Sequence, residues 1–247
     1  MDQQKCKKEL QDKKIIPKKY YGQVFTTDEK VIDKLIETIK TIYRPNTKIV
    51  EIGGGLGYIT EKLAEEFDDI DVLEIDDYLY KTLNSKLKTL TSNLEFRVSS
   101  LNVIKTDILK YTPPKKDYLL VGNIPFHISG RLYRRFMSEI DHKPYGMVFI
   151  TDKQYASTLM GQPPRCYRVS LQAQSYGDIK IVADVPPESV YPEPKVMSCI
   201  MKITKNETKL PKNFWDVVNY HFENFPTKEV ESPKTMGLKK WIELCKK

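Results

Sequence analysis

Cysteine and histidine are scarce in this chain of 247 residues, and neither residue type is clustered. The three histidines lie apart from the cysteines, and no CxxC pair is present. The four cysteines are Cys6, Cys166, Cys199 and Cys245. This spacing argues against a zinc site and, in a chain of this size, against a disulfide framework. We therefore expect reduced, structural thiols, no metal ion, and a cytoplasmic protein.

Long hydrophobic runs are also missing. No stretch approaches the roughly 18 apolar residues that a membrane span needs. The opening residues, MDQQKCKKELQDKK, lack the apolar core of a signal peptide. Hydrophobic residues nevertheless make up 40% of the chain, which suffices for a sizeable core. We expect a soluble intracellular protein, a monomer that makes no membrane contact.

The net charge of +7 is concentrated at the two ends of the chain. Residues 1–19 hold seven lysines against three acidic residues, and residues 202–247 hold ten against six. Basic ends on a nearly neutral body favour a polyanionic partner held at its flanks, although solubilising tails would give the same pattern. We expect residues 1–18 to be frayed or loosely helical.

Short apolar strands alternate with amphipathic helices over the first 150 residues. The strands are predicted at 48–52, 71–75, 101–104, 118–121 and 146–151, and the helices at 28–42, 58–67, 77–90 and 129–139. This alternation predicts an α/β fold with a mostly parallel sheet covered on both faces. Further strands are predicted at 170–176, 179–182 and 197–203, with antiparallel pairing left open. Two further helices are predicted at 213–225 and 236–245.

A glycine-rich loop, EIGGGLG, follows the first predicted strand of this sheet. Gly53 and Gly55 let the backbone turn tightly and approach a ligand closely. Glu74 ends the next strand, 21 residues after Gly53, where a carboxylate can accept both ribose hydroxyls. Asp107 follows the third strand and is placed to receive the amine of an adenine. These residues predict a nucleotide-type cofactor.

Two cofactors compete for such a loop, NAD and S-adenosylmethionine. The acidic Glu51 stands directly before the glycines. A carboxylate there would repel a pyrophosphate but attract a sulfonium or an ammonium group. The sequence therefore favours S-adenosylmethionine.

The stretch VGNIPFHISG ends a predicted strand with an amide, a rigid bend and an aromatic ring. The amine of adenine is a poor nucleophile, so an enzyme that methylates it must orient the amine and draw its lone pair outward. Asn123 offers a side-chain carbonyl, and Pro125 fixes a bend that lets the Ile124 carbonyl face the amine. Phe126 offers a stacking face. Alone, the motif could equally be a strand ending in a turn, with the aromatic ring as core filler.

Several motifs in this order resemble those of the KsgA-type and Erm-type rRNA adenine N6-dimethyltransferases. They are YGQVF, EIGGGLG, LEID, TDIL, GNIPFHIS, YRVSLQAQSY and PPESVYPEPKVMS, and the resemblance covers residues 18–203. It implies a Rossmann-like S-adenosylmethionine-dependent methyltransferase that adds two methyl groups to an adenine during rRNA processing and ribosome biogenesis. The implied domains are a basic extension (1–19), a catalytic domain (20–203) and a short helical C-terminal domain (204–247).

The resemblance also assigns residues to the site. It implies that the cofactor pocket is lined by Gln23, Glu51, Gly53, Gly55, Glu74, Asp107 and Asn123. It implies that the target adenine meets Asn123, Pro125 and Phe126, and that Tyr191 closes over the base from the other side. We further expect Arg131 and Arg134 to contact RNA phosphates, although they could equally form a solvated helix face.

The chain departs from the family pattern in places. Val24 stands where the family usually has Asn, and Phe126 replaces the commoner Tyr. The glycine motif and VPPESVYPEPKV favour the KsgA type, which modifies small-subunit rRNA, whereas Ile124 leans toward the Erm type, which modifies large-subunit rRNA. Two other hypotheses remain at this point: a non-catalytic nucleic-acid-binding scaffold similar to mitochondrial transcription factors, and a DNA adenine methyltransferase, which Ile124 disfavours.

Overall fold

The computed structural model describes residues 3–92, 99–206, 208–224 and 232–246. The strands are β1 (Phe25–Thr26), β2 (Lys48–Ile52), β3 (Asp69–Glu74), β4 (Ser100–Lys105), β5 (Tyr118–Asn123), β6 (Gly146–Asp152), β7 (Gly177–Val185), β8 (Val190–Tyr191) and β9 (Ser198–Lys205). Seven of them form one sheet in the order β4-β3-β2-β5-β6-β9-β7, and β1 pairs with β8. Strands β2 to β6 run parallel, and β9 is antiparallel to both of its neighbours.

Helices cover both faces of the large sheet. They are α1 (Gln3–Asp12), α2 (Glu29–Lys40), α3 (Tyr58–Glu66), α4 (Asp77–Ser92), α5 (Ser129–Arg134), α6 (Lys153–Leu159), α7 (Arg168–Tyr176), α8 (Phe214–Asn224) and α9 (Leu238–Leu244). A π-helical turn, Arg135–Glu139, continues α5. In the described residues, no helix combines the length and apolarity that crossing a membrane would require.

The neighbouring strands β5 and β6 are apolar over most of their length because both of their faces are buried. In β5, Leu119 and Val121 pack into a core shared with α1 to α4, whereas Tyr118 and Leu120 pack into a core shared with α5 to α7. Successive side chains of a strand point to opposite faces, so one short run supplies two cores. The predicted α/β sheet with helices on both faces is thus confirmed.

The order of the strands in the sheet indicates where a ligand site would lie. From β2 the chain first adds β3 and β4 on one side, and later β5 and β6 on the other side. Ile52 at the end of β2 pairs with Gly122 near the end of β5. Ligands of open α/β sheets bind outside the carboxyl ends of the strands at such a reversal. The loops after β2 and β5 therefore face one crevice.

One predicted strand is wrong: residues 170–176 belong to helix α7. The alternation of Leu171 and Ala173 with glutamines fits the period of a strand. However, Ser170, Ala173 and Tyr176 are all buried, a spacing of three that suits a helix. The hydroxyl of Ser170 also accepts a hydrogen bond from the backbone N of Tyr167 at 3.1 Å, which caps the helix start.

The N-terminal segment was expected to be frayed or loosely helical, and its residues Gln3–Asp12 form the regular helix α1. Cys6 and Leu10 of this helix are buried in the core that lies on the α2 side of the sheet. The two later helices, predicted at 213–225 and 236–245, are present as α8 and α9; residue 225 lies outside the described residues. Trp241 is fully buried in their shared cluster, which also holds Cys166. The division of the chain at residues 19 and 203 stays a prediction.

Candidate active site

A cleft of about 630 Å³ opens where β2 gives way to α3. Gly53 and Gly55 have φ of +71° and +55°, which only glycine adopts without strain. A side chain at Gly55 would also come within 3.2 Å of the Phe25 ring. The backbone therefore bends around open space that side chains would fill.

Glu74 lies at the floor of this cleft and holds the glycine loop. Its two carboxylate oxygens accept backbone N–H groups of Gly55 and Asp76, each at 2.9 Å. Only 4% of its surface is exposed, and burial raises the pKa of this carboxyl despite the two hydrogen bonds. The carboxylate faces the cleft as predicted, and its remaining acceptor positions suit a ligand with hydroxyl donors.

Glu51 is the most strongly perturbed acid of the cleft. It is 1% exposed, and its Oε2 accepts a hydrogen bond from the hydroxyl of Thr60 at 2.6 Å. Burial raises its pKa to about 8, and the neighbouring Glu74 adds to the shift by repulsion. Two buried carboxyls that face one cleft have no cation to pair with among the described residues that line it. A ligand carrying positive charge would supply that cation.

Gln23 lines the same cleft with an unused donor. Its Oε1 accepts the backbone N of Lys18 at 2.7 Å, which turns the amide nitrogen away from that segment. The buried Nε2 has no hydrogen-bond partner among the described residues. Leaving a buried donor unpaired costs about 1–3 kcal/mol, so this atom fits a ligand acceptor such as a carboxylate.

A second cavity of about 710 Å³ continues the first. Asp107 lines it, and Oδ1 of this residue accepts the backbone N of Leu109 at 2.9 Å. The two cavities share Tyr21, Gly53, Ile75 and Pro125. Together they form an elongated groove with acids toward both ends, a shape that suits an adenosine joined to a charged amino-acid portion.

Asn123 ends β5 where the groove meets the NIPF turn. Its Nδ2 donates to the carbonyl oxygen of Val24 at 3.1 Å and to Oγ1 of Thr26 at 3.2 Å. No described group donates to its Oδ1 or to the carbonyl oxygen of Ile124. Ile124 as a whole residue is only 1% exposed, its side chain belongs to the core, and it does not line either cavity. Asn123 does line the cleft, so its Oδ1 is an unpaired acceptor at the groove.

Two aromatic residues were predicted to meet the base, and neither lines the two cavities. Phe126 is half-buried at the start of a short 3₁₀ turn, Phe126–Ile128, directly after Pro125. Tyr191 lies on β8, where it pairs with Phe25 of β1, and Phe25 lines the groove. The structure thus brings β8 alongside the strand that enters the groove, although the two strands are far apart in sequence.

Comparison with known proteins gives the family. The sequence profile described as "Ribosomal RNA adenine dimethylase" matches residues 16–231, most of the chain. The chain belongs to this family. Membership makes it an enzyme, an S-adenosylmethionine-dependent rRNA adenine methyltransferase, as its motifs predicted. A non-catalytic scaffold is not favoured.

Relatives within the family carry two kinds of name. An rRNA adenine N-6-methyltransferase of Enterococcus faecalis is 30% identical over 210 residues, covering 85% of this chain and 80% of the relative. The small subunit methyltransferase A of Dehalococcoides mccartyi is 30% identical over 186 residues, covering 75% of this chain and 62% of the relative. Both relatives therefore support the family, and the name of the second specifies the small ribosomal subunit.

Solved structures of similar fold agree with the sheet described above. A dimethyladenosine transferase from Plasmodium falciparum superposes with a TM-score of 0.70 at 22% identity, covering 83% of this chain and 72% of that one. The 23S rRNA methyltransferase ErmE superposes with a TM-score of 0.72 at 20% identity, covering 90% and 98%. At these identities the likeness concerns the fold, which is confirmed as that of a Rossmann-like methyltransferase.

The two arginines predicted to contact RNA occupy different surroundings in this dimethylase-family chain. Arg131 is exposed and lines the Asp107 end of the groove. Arg134 is also exposed, but its Nε pairs with Oε1 of Glu139 at 2.8 Å. An exposed pair of this kind contributes little and opens readily, so both roles stay predictions.

Sequence reasoning missed three groups that shape the site: the hydroxyls of Thr26 and Thr60 and the carbonyl of Val24. Thr60 lies nine residues after Glu51, one turn into α3, and local reasoning could have found it. The contacts of Asn123 with Val24 and Thr26 span 99 and 97 positions. No local pattern encodes contacts of that length.

Proposed function

We propose that this enzyme transfers methyl groups from S-adenosylmethionine to the N6 atom of an adenine in small-subunit rRNA, twice on the same nitrogen. The observation that carries the proposal is the unpaired acceptor Asn123 Oδ1 in a groove lined by buried acids, and the Ile124 carbonyl would be the second acceptor. Such acceptors match the two N–H bonds of an adenine amine.

The groove fits S-adenosylmethionine by its donor and acceptor set. Glu51 would face the positive charge of the cofactor, and the unpaired Gln23 donor would take its carboxylate. Glu74 would accept the ribose hydroxyls, Asp107 would accept from the adenine amine, and Gly53 and Gly55 would let the backbone approach. When bound, this cofactor supplies a methyl group on a sulfonium with a neutral leaving group.

The residues of the protein act on the target adenine by orienting its amine. Asn123 Oδ1 and the Ile124 carbonyl accept the two N–H bonds and so direct the nitrogen lone pair away from the purine ring. Pro125 has no N–H that could compete for these acceptors. Phe126 and Tyr191 stack on the two faces of the base and hold it out of its helix. Because Asn123 is neutral, it does not stabilise a protonated amine, so the proton leaves after transfer.

The choice of small-subunit rRNA rests on the glycine motif and the loop at residues 185–196, which resemble the KsgA type. A second candidate is large-subunit rRNA. Ile124 favours it, because this residue leans toward the Erm type. Residues 204–247 are the part of the chain from which such a difference in RNA docking would come.

The partner in this proposal is rRNA or an assembling ribosomal subunit. Arg131, Arg134 and the basic ends of the chain supply the positive charge for phosphate contacts. That the protein acts as a monomer and in the cytoplasm stays a prediction.

The deciding experiment is to map dimethyladenosine in both ribosomal subunits and in their free RNAs after incubation with the protein and labelled S-adenosylmethionine. We expect dimethylated adenine in the small subunit and loss of at least about 100-fold in rate for Asn123→Ala. Asn224→Ala, which removes an exposed surface amide on α8, is the matched control. Label only in the large subunit would favour the second candidate, and full activity of Asn123→Ala would remove the mechanism.

A further inference from the structure

Helix α1 contacts the segment that carries Tyr191. Gln3 donates its Nε2 to the carbonyl oxygens of Glu188 and Val190, each at 2.9 Å. Lys7, one turn later, places its Nζ 5.2 Å from the centroid of the Tyr191 ring, within the range of a cation–π contact. Residues four apart share a face of a helix, so one face of α1 holds both the backbone and the ring of this segment.

The segment needs such a partner because it is a short edge. Strand β8 has two residues, and in the described structure it pairs only with β1. The Ser189 carbonyl accepts backbone N–H groups from the two residues after β1, at 2.8 and 3.2 Å. The Glu188 carbonyl belongs to a 3₁₀ turn, Pro187–Ser189, that leads into β8, and the Val190 carbonyl belongs to β8 itself. Gln3 binds both of them and braces a ribbon that would be marginal alone.

Helix α1 is itself firmly anchored. Cys6 and Leu10 are buried, with 0% and 3% of their surface exposed. Glu9 accepts a hydrogen bond from the Tyr58 hydroxyl at 2.6 Å, and Tyr58 lines the cofactor groove. Because α1 is fixed at the groove wall, it can hold the Tyr191 segment in a fixed position.

The brace also reaches Asn123. Thr26 of β1 pairs with Val190 of β8, and the hydroxyl of Thr26 accepts from the Asn123 amide at 3.2 Å. The order of contacts is thus α1, β8, β1 and then the reactive amide. Each step is a direct contact within the described residues.

We propose that Gln3 and Lys7 are positioning residues for the acceptor base, which act by holding the Tyr191 segment against β1. The inference rests on the proposed function, since it gives Tyr191 the role of stacking on the target adenine. The Lys7 ammonium holds the tyrosine ring in one orientation. Because the ring is already ordered before RNA binds, less conformational entropy is lost when the base stacks on it.

Lys7 and Lys8 provide a matched pair for the kinetic test. Both are exposed lysines of α1, but Lys8 makes no hydrogen bond or ion pair with a described residue. We expect Lys7→Met to raise KM for RNA and lower kcat, with a combined loss in kcat/KM of roughly 3- to 10-fold. Lys7→Arg should restore most of the loss, and Lys8→Met should match the wild type. Affinity for S-adenosylmethionine should stay within about twofold in every variant.

A second measurement needs no substrate. Hydrogen exchange of the backbone amides of residues 188–191 should accelerate in Gln3→Ala and in Lys7→Met, but not in Lys8→Met. If the wild type methylates no rRNA, the proposed function fails, and this exchange result alone decides whether the brace exists. Equal losses in Lys7→Met and Lys8→Met, which would mean general attraction of RNA by charge, overturn the inference. Unchanged hydrogen exchange of residues 188–191 in Gln3→Ala and Lys7→Met, or unchanged kinetics in Lys7→Met, also overturns the inference.

Discussion

Asn123 donates its side-chain amide to the backbone carbonyl of Val24 at 3.1 Å, across 99 positions of the chain. This contact orients the side-chain amide of Asn123. The nitrogen faces the segment at β1, and the oxygen stays available for the amine of the proposed target adenine. The contact uses only the backbone of Val24. The departure from the family pattern at this position, Val in place of Asn, therefore leaves the orientation of the reactive amide intact.

The orientation of Asn123 also depends on Thr26, whose hydroxyl accepts the other amide hydrogen. Thr26→Val removes this acceptor at nearly constant volume. A hydrogen bond of this kind contributes about 1 kcal/mol, so we expect kcat to fall about fivefold. Single-turnover methyl transfer measures the change. Thr158→Val, on helix α6, is the control, and a Thr26→Val enzyme as fast as wild type would contradict this role.

Cofactor binding should depend on pH through Glu51. Its pKa of about 8 means that the carboxyl is mostly protonated at pH 7 in the free protein. A bound cation favours the ionised form, so affinity should rise with pH and level off above about pH 8, and binding at pH 7 should release protons. Calorimetry in buffers of different ionisation enthalpy measures that release. Glu51→Gln should bind without it.

Glu51 should also affect the stability of the free protein, with the opposite sign. Because burial raises its pKa from 4.5 to about 8, the folded state binds more protons than the unfolded state between these values. The contribution of Glu51 is therefore complete below pH 4.5 and is lost as pH rises toward 8, by up to about 1.4 kcal/mol per pH unit. Urea unfolding of wild type and Glu51→Gln across this range isolates the effect, and the wild type should lose stability relative to Glu51→Gln as the pH rises.

Tyr191 should contribute through its ring. Stacking of a base on an aromatic side chain is worth about 1–3 kcal/mol, so Tyr191→Ala should reduce kcat/KM for RNA by roughly 5- to 150-fold. Tyr191→Phe keeps the ring and should retain most of the activity. The Kd for S-adenosylmethionine, measured in parallel, should change little, and a large change there would place Tyr191 with the cofactor instead.

Much of the fold could be predicted because its units are local. The strand 48–52, the glycine loop and the helix behind it lie within about 20 residues, and each element is specified by its own period and breakers. The same holds for the NIPF turn. The strand prediction for residues 170–176 was wrong. Leu171 and Ala173 alternate with polar residues, which fits a strand, but the burial of side chains at a spacing of three shows a helix.

The family and the glycine loop with its acids could be recognised from the sequence alone, whereas the residue types that would meet the amine stay a prediction. The tertiary structure alone decided that α1 packs on the core, that β1 pairs with β8 some 165 positions away, and that the Asn123 amide points its nitrogen at Val24. Local patterns encode period, turns and caps, whereas these contacts depend on which distant surfaces are buried together, and that is settled only when the whole chain packs.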